Sequence, residues 1–206
     1  MKKDIEVELR GRLTHDDRDQ LIEIFKHDGK YVTTKERIMI DYSTFLEGEG
    51  IRDRQKDIRL RMTNGVPEIM IKLGPWGGVD QRKELSVTTE PGTFNTLVEI
   101  FAALGFLKGM MCQRNSVVYE YKGIEFSMVE VPHHSWYFEA EKMVHERDIL
   151  QATEEVTRVC NELGLEVFSK EDFFAYIETL NKEANTVFDF NAFSAEYHIR
   201  HESLRD

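Results

Sequence analysis

The 206-residue chain carries 38 acidic against 27 basic residues, a formal net charge of -11, and 41% of it is hydrophobic. That acidity argues against a nucleic-acid-coating surface, and the hydrophobic fraction is enough to bury a real core, so a folded globule is expected. Cys112 and Cys160 show no metal-ligand spacing, and no apolar run approaches the ~20 residues of a membrane span; a reducing, cytoplasmic setting without a membrane partner is expected.

Residues 4–13 alternate Ile5, Val7 and Leu9 with Glu6, Glu8 and Arg10, the period-two mark of a strand. A helix over 15–28 follows, with Thr14 as N-cap, Leu21, Ile22 and Phe25 at helical spacing and Gly29 as the stop. Strands are predicted over 31–45, 56–63, 67–73 and 80–88, and Asn64-Gly65 marks a tight hairpin between the second and third of these. Phe94, Leu97, Val98, Phe101, Ala102 and Leu104 interrupt the series with a helix over 92–105, expected to pack on the sheet. Three more strands, 112–121, 123–131 and 136–144, precede a helix from about 146 to Gly164 and another over 170–183. A tail with Phe188, Phe190, Phe193 and Tyr197 is expected to dock on the body, so the organisation reads as a domain over 1–183 and a docking tail over 184–206.

The strands place like charges two residues apart, hence on one face and ~6–7 Å from each other: Glu6 with Glu8, Arg59 with Arg61, Glu139 with Glu141. Such pairs repel unless an opposite charge lies between them. Lys72 stands opposite the apolar face of Ile69, Ile71 and Leu73, and Arg82 shares a face with Glu84. A half-buried antiparallel sheet with a charged outer face would explain any one of these strands. Six strands in agreement, acidic at the ends of the series and basic in its middle, point further. Closing the sheet into a barrel makes the first and last strands neighbours and gathers the glutamates opposite the bases, a site for metal and triphosphate.

This ordered set, Glu6-Val7-Glu8-Leu9-Arg10, Arg59-Leu60-Arg61, Lys72, Arg82-Lys83-Glu84, Arg114 and Glu139-Ala140-Glu141, resembles the CYTH, or triphosphate tunnel metalloenzyme, superfamily over roughly residues 4–180. The resemblance implies an α+β fold, an eight-stranded antiparallel β-barrel with helices packed outside and a helical C-terminal extension, acting on triphosphate compounds with Mg2+ or Mn2+. Members include thiamine triphosphatases, inorganic triphosphatases, class IV adenylyl cyclases and RNA triphosphatases. The chain departs from the pattern at Arg10, where lysine is usual, at Cys112, where a base often stands two before Arg114, and at Val129, where many members have an aspartate. Glu125, or Glu130 after a bulge, would be the replacement carboxylate.

The expected activity is metal-dependent hydrolysis of inorganic triphosphate, thiamine triphosphate or a nucleoside triphosphate. Glu6, Glu8, Glu139 and Glu141 would hold the metal through hard oxygen ligands, and Arg10, Arg59, Arg61, Lys72, Arg82 and Arg114 would grip the phosphates. Lys72, Arg82 and Glu84 are the expected catalytic groups, Glu84 either accepting a proton or orienting Arg82. The alternatives are a class IV-type adenylyl cyclase and a non-catalytic triphosphate or polyphosphate binder. The partner is a small-molecule triphosphate, and the assembly a monomer or homodimer. His133-His134 reads as a turn, because adjacent strand residues point to opposite faces, and Gly74-Pro75-Trp76-Gly77-Gly78 reads as a hairpin connection, because no helix follows to receive an anion.

Overall fold

In the computed structural model, which describes residues 5–77 and 79–192, the predicted alternation closes into a tunnel. The strands are β1 (Ile5–Leu13), β2 (Lys30–Asp41), β3 (Lys56–Thr63), β4 (Val66–Leu73), β5 (Val79–Thr88), β6 (Lys108–Tyr121), β7 (Ile124–Val131), β8 (Ser135–Val144) and β9 (Thr186–Asp189). Helices accompany them among the described residues: α1 (His15–Asp28), α2 (Phe94–Ala103), α3 (Ile149–Glu162) and α4 (Lys170–Glu183). The order β2-β3-β4-β5-β1-β8-β7-β6 returns to β2, every pairing is antiparallel, and the barrel therefore has no free edge among these eight strands. The α+β barrel is the fold class the sequence implies.

The barrel inverts the usual arrangement of a small core. Val7, Leu9, Phe126, Met128, Phe138 and Ala140 point outward and are buried under α1 and α3, which supply Leu21, Phe25, Val156 and Val159. On the opposite side Ile40, Leu60 and Tyr42 pack under Leu97, Val98 and Phe101 of α2. Since alternate residues must then face the lumen, the charged positions line much of the interior. Thr14 and Asp17 form a reciprocal capping box that starts α1. Asn64 (φ 50) and Gly65 (φ 80) turn the β3–β4 hairpin, as their dipeptide predicts.

Several boundaries differ from the sequence reading. The strand expected over 31–45 ends at Asp41, because the Asp41 carboxylate accepts hydrogen bonds from the Ser43 N–H (2.9 Å) and the Thr44 hydroxyl (3.0 Å) and folds 43–45 into a short 3-10 turn. β6 starts at Lys108 rather than 112, since β2 and β9 pair with its first turn of chain. β9 itself was not anticipated: it runs along β6 at Lys108–Met111, beyond the last β7 pairing at Asn115, and buries Phe188 against Tyr42. Phe193 and Tyr197 of the expected tail lie outside the described residues. The segment after α3 crosses β1, where the Phe168 N–H donates to the Arg10 carbonyl (2.8 Å), and α4 closes one tunnel end with Phe173, Phe174 and Tyr176. No helix among the described residues is long and apolar enough to cross a membrane.

Candidate active site

Pairing β1 with β8 sets Glu8 opposite Glu141 and Arg10 opposite Glu139. Glu6 and Glu8 are buried, and one carboxylate oxygen from each of Glu6, Glu8 and Glu141 falls within 4.8 Å of the others. Glu139 is not part of this trio; it faces the Arg10 Nε at 3.4 Å. The Lys72 ammonium, from β4, donates to Glu6 and to Glu8 Oε2 (3.4 Å) and lies 3.5 Å from Glu84, its register partner on β5. Burial and the neighbouring Glu8 push the Glu6 carboxyl up to about 7, and burial with Glu8 and Glu6 raises Glu141 well above the carboxylate range. Burial acts the same way on Glu8, but Arg10 and Lys72 outweigh it and hold Glu8 ionised. Glu8 Oε1 is buried without a hydrogen-bond partner.

These groups line a cavity of about 420 Å³ together with Arg10, Lys35, Arg37, Arg59, Arg61, Glu84, Glu125 and Glu139. Among the predicted site residues, Glu6, Glu8, Arg10, Arg59, Arg61, Lys72, Glu84, Glu139 and Glu141 meet in this chamber. Arg114 lies further along, lining a cavity of about 110 Å³ at the end closed by α4, with Cys112, Val129, Trp76 and Tyr137. Arg82 lines neither. It is fully buried behind the wall, with Nη1 on Asp57 (3.0 Å) and Nη2 on Asp80 (3.0 Å), so its carboxylate partners are these aspartates and not Glu84. His134 sits in the β7–β8 turn, hydrogen-bonded to Ser135 (2.8 Å) and Glu183 (3.3 Å), away from the carboxylate trio.

A second buried layer supports the arginines. Asp57, 0% exposed, receives Arg59, including its Nε at 2.9 Å, with Arg82 and the Arg54 Nη1 at 3.3 Å. Arg54 also donates to Asp41 (2.7 Å), and Trp76 lies over its guanidinium at 4.3 Å. Arg10 bridges Glu8, Asp80 (2.7 Å) and Glu139, and Arg61 pairs with Glu68. Burial disfavours charge on Asp57, yet Arg59 and Arg54 keep its carboxyl far below the ordinary range. The sequence reading missed Asp41, Asp57 and Asp80, which stand singly and form no like-charged pair, and missed Lys35 and Arg37, whose strand is polar on both faces over Thr33–Arg37. Of the two replacement carboxylates considered for Val129, Glu125 faces the chamber opposite Glu141 and pairs with Lys35 (3.0 Å), whereas Glu130 is hydrogen-bonded by Asn115 (3.0 Å) and does not line it. Val129 stands opposite Tyr137, nearer the closed end. The Cys112 thiol is pushed up to about 11 by burial, which leaves it a poor nucleophile.

No protein-family model and no curated protein matches this sequence. Solved structures do match its fold. A conserved hypothetical protein from Pyrococcus furiosus aligns with TM-score 0.64 at 20% identity over 81% of this chain and 93% of its own. A candidate adenylate cyclase from Vibrio parahaemolyticus aligns with TM-score 0.61 at 13% identity, covering 83% and 93%. HpAC1 from Hippeastrum, a candidate adenylyl cyclase whose structure is described as revealing a dominant triphosphatase activity, aligns with TM-score 0.53 at 15% identity, covering 81% and 90%. The shared closed barrel agrees with the CYTH resemblance drawn from the charged pairs, and at these identities the likeness is one of fold.

Proposed function

We propose that the chain is a metal-dependent triphosphatase working inside its charged tunnel. The observation that carries this reading is the opposition, within one cavity, of the carboxylate trio Glu6, Glu8 and Glu141 to a wall containing Arg37, Arg59 and Arg61. Three carboxylates within 4.8 Å, one with a buried oxygen that lacks a partner, are a donor set suited to Mg2+ or Mn2+, which take oxygen ligands. When bound there, such an ion would neutralise phosphate charge and polarise the phosphoryl oxygens.

The chain's own groups do the rest. The guanidinium wall orients the polyphosphate through charge-assisted, bidentate hydrogen bonds and favours charge gathering on the equatorial oxygens of the terminal phosphoryl group. Lys72, between Glu6, Glu8 and Glu84, sets the position of those carboxylates and offers its ammonium to a phosphate oxygen. Glu84, on the chamber wall, takes a proton from the attacking water as the water oxygen bonds to the terminal phosphorus and the bridging P–O bond breaks toward the leaving diphosphate group of the substrate. Arg82 serves as a positioning residue, holding Asp57 and Asp80 and through them Arg59 and Arg10. The triphosphatase activity described for HpAC1, a barrel of the same fold, supports the choice.

Product analysis tests it. Incubation with tripolyphosphate, thiamine triphosphate and ATP, each with Mg2+ or Mn2+, should release orthophosphate. Pyrophosphate with cyclic AMP would replace the reading by a cyclase, and thermal stabilisation without turnover would replace it by a binder.

A further inference from the structure

The arginines of the tunnel are not equivalent. Arg10, Arg59 and Arg61 each rest on a carboxylate of the protein, so an anion reaching them must share or displace that partner. Arg37 and Arg114 form no salt bridge among the described residues. Arg37 Nε donates to the Thr63 hydroxyl (3.0 Å), and Arg114 donates to the Asn185 side chain (3.0 Å) and the Gln113 carbonyl (2.6 Å). The two face each other across the β2–β6 ladder, Arg37 opposite Arg114, and the next inward pair is Met39 opposite Cys112. Directly opposed positions bring Cα atoms to about 4.5–5.5 Å, close enough for two planar guanidinium forks to bracket one phosphoryl group.

Resting on the triphosphate reading above, we propose that Arg37 and Arg114 form the primary phosphate subsite of the tunnel, Arg37 supplying from β2 the positive charge that Cys112 does not supply from β6. Two like charges on adjacent strands are unfavourable by themselves, and the pair is relieved when an anion lies between them. Burial, together with the nearby Arg61 guanidinium, outweighs the attraction of Glu139 and Glu141 and holds Arg37 below the usual arginine range. Position in the barrel supports the assignment: β2 lies four strands from β1 in either direction, so Arg37 stands across the lumen from Glu6 and Glu8. Arg37 also lines both cavities, which puts this subsite where the open chamber meets the closed end. A chain of phosphoryl groups would then be anchored at Arg37 and Arg114 with its reacting end toward the carboxylates.

The test is calorimetric titration of inorganic tripolyphosphate into metal-free protein, with ligand-free melting to check the fold. Arg37→Gln and Arg114→Gln should each weaken binding roughly tenfold or more, the loss of a charge-assisted hydrogen bond. Arg37→Lys should retain more affinity than Arg37→Gln. Adding Cys112→Lys to Arg37→Gln should restore part of the loss by returning the charge from the other strand. Arg158→Gln, on exposed α3 beside Glu162, should bind as the parent does. A parent that binds tripolyphosphate alongside Arg37→Gln and Arg114→Gln variants that bind equally well would overturn the subsite alone. A parent that binds none would overturn the triphosphate reading with it.

Discussion

Asp57→Asn should be among the most damaging isosteric changes in this protein. Asp57 is fully buried and receives three guanidiniums, those of Arg54, Arg59 and Arg82, of which Arg54 and Arg82 are themselves no more than 1% exposed. Asparagine keeps the shape and one acceptor but leaves these cations without their shared counter-charge. Removing one partner of a buried ion pair costs about 3–5 kcal/mol. For a domain whose whole stability is about 5–15 kcal/mol this is a large share, and at about 2–4 °C per kcal/mol it lowers the melting temperature by roughly 6–20 °C. Urea denaturation at pH 7 measures it. The pH dependence adds a sign. Because the folded Asp57 carboxyl lies below its ordinary 3.8, its contribution is present above that value and is lost as pH falls toward the folded pKa, so the gap between parent and variant should narrow in acid. Tripolyphosphate, meeting a freed Arg59 in the chamber, should stabilise the variant more than the parent. A variant within about 1 kcal/mol of the parent at pH 7 would refute the reasoning, since the cations would then be satisfied by something other than Asp57.

Three further outcomes are expected. Glu141→Gln should weaken Mn2+ binding, followed by titration calorimetry, more than Glu139→Gln, because Glu139 is engaged with Arg10 outside the carboxylate trio; the reverse order would move the metal site. Glu6, raised from 4.5 to about 7, contributes stability that is full below pH 4.5 and is lost as pH rises through about 7, so metal-free parent should lose up to about 3 kcal/mol over that window while Glu6→Gln does not; metal affinity should rise over the same window as protons cease to compete. Gly11→Ala should destabilise by about 1–3 kcal/mol or more in thermal melts, since its Cβ would meet the Glu166 carbonyl oxygen at 1.9 Å and the Phe138 ring at 2.5 Å; an unchanged melting temperature would mean the crossing over β1 yields freely.

The strands were legible where burial is one-sided. Val7 and Leu9 must lie under α3 while Glu6 and Glu8 face the lumen, so alternation alone reveals both the strand and its charged face, and the same holds for β3 and β8. Where a strand is polar on both faces, as β2 is over Thr33–Arg37, alternation carries no such information, and Lys35 and Arg37 stayed hidden. The counter-ions stayed hidden for a different reason. Asp57 lies close in sequence to Arg54 and Arg59, and Asp80 to Arg82, but Arg82 reaches Asp57 and Arg10 reaches Asp80 from distant strands, and those links exist only once the barrel closes. β9 depends wholly on tertiary context: four residues, Thr-Val-Phe-Asp, become a strand because β6 extends past β7 and presents an edge.

The placement of Trp76 has an optical consequence. The chain holds two tryptophans. Trp136 lies near the Arg18 guanidinium at 4.4 Å, on the β8 side of the wall. Trp76 lies with Arg54 at 4.3 Å and Arg82 at 5.9 Å from its ring and Phe173 at its edge. An indole so placed emits at a wavelength set by the field of the cations around it. Replacing Trp136 by phenylalanine leaves a single tryptophan seated on the buried guanidinium network, and its colour reports, without an added dye, rearrangements of charge around Arg54 and Arg82.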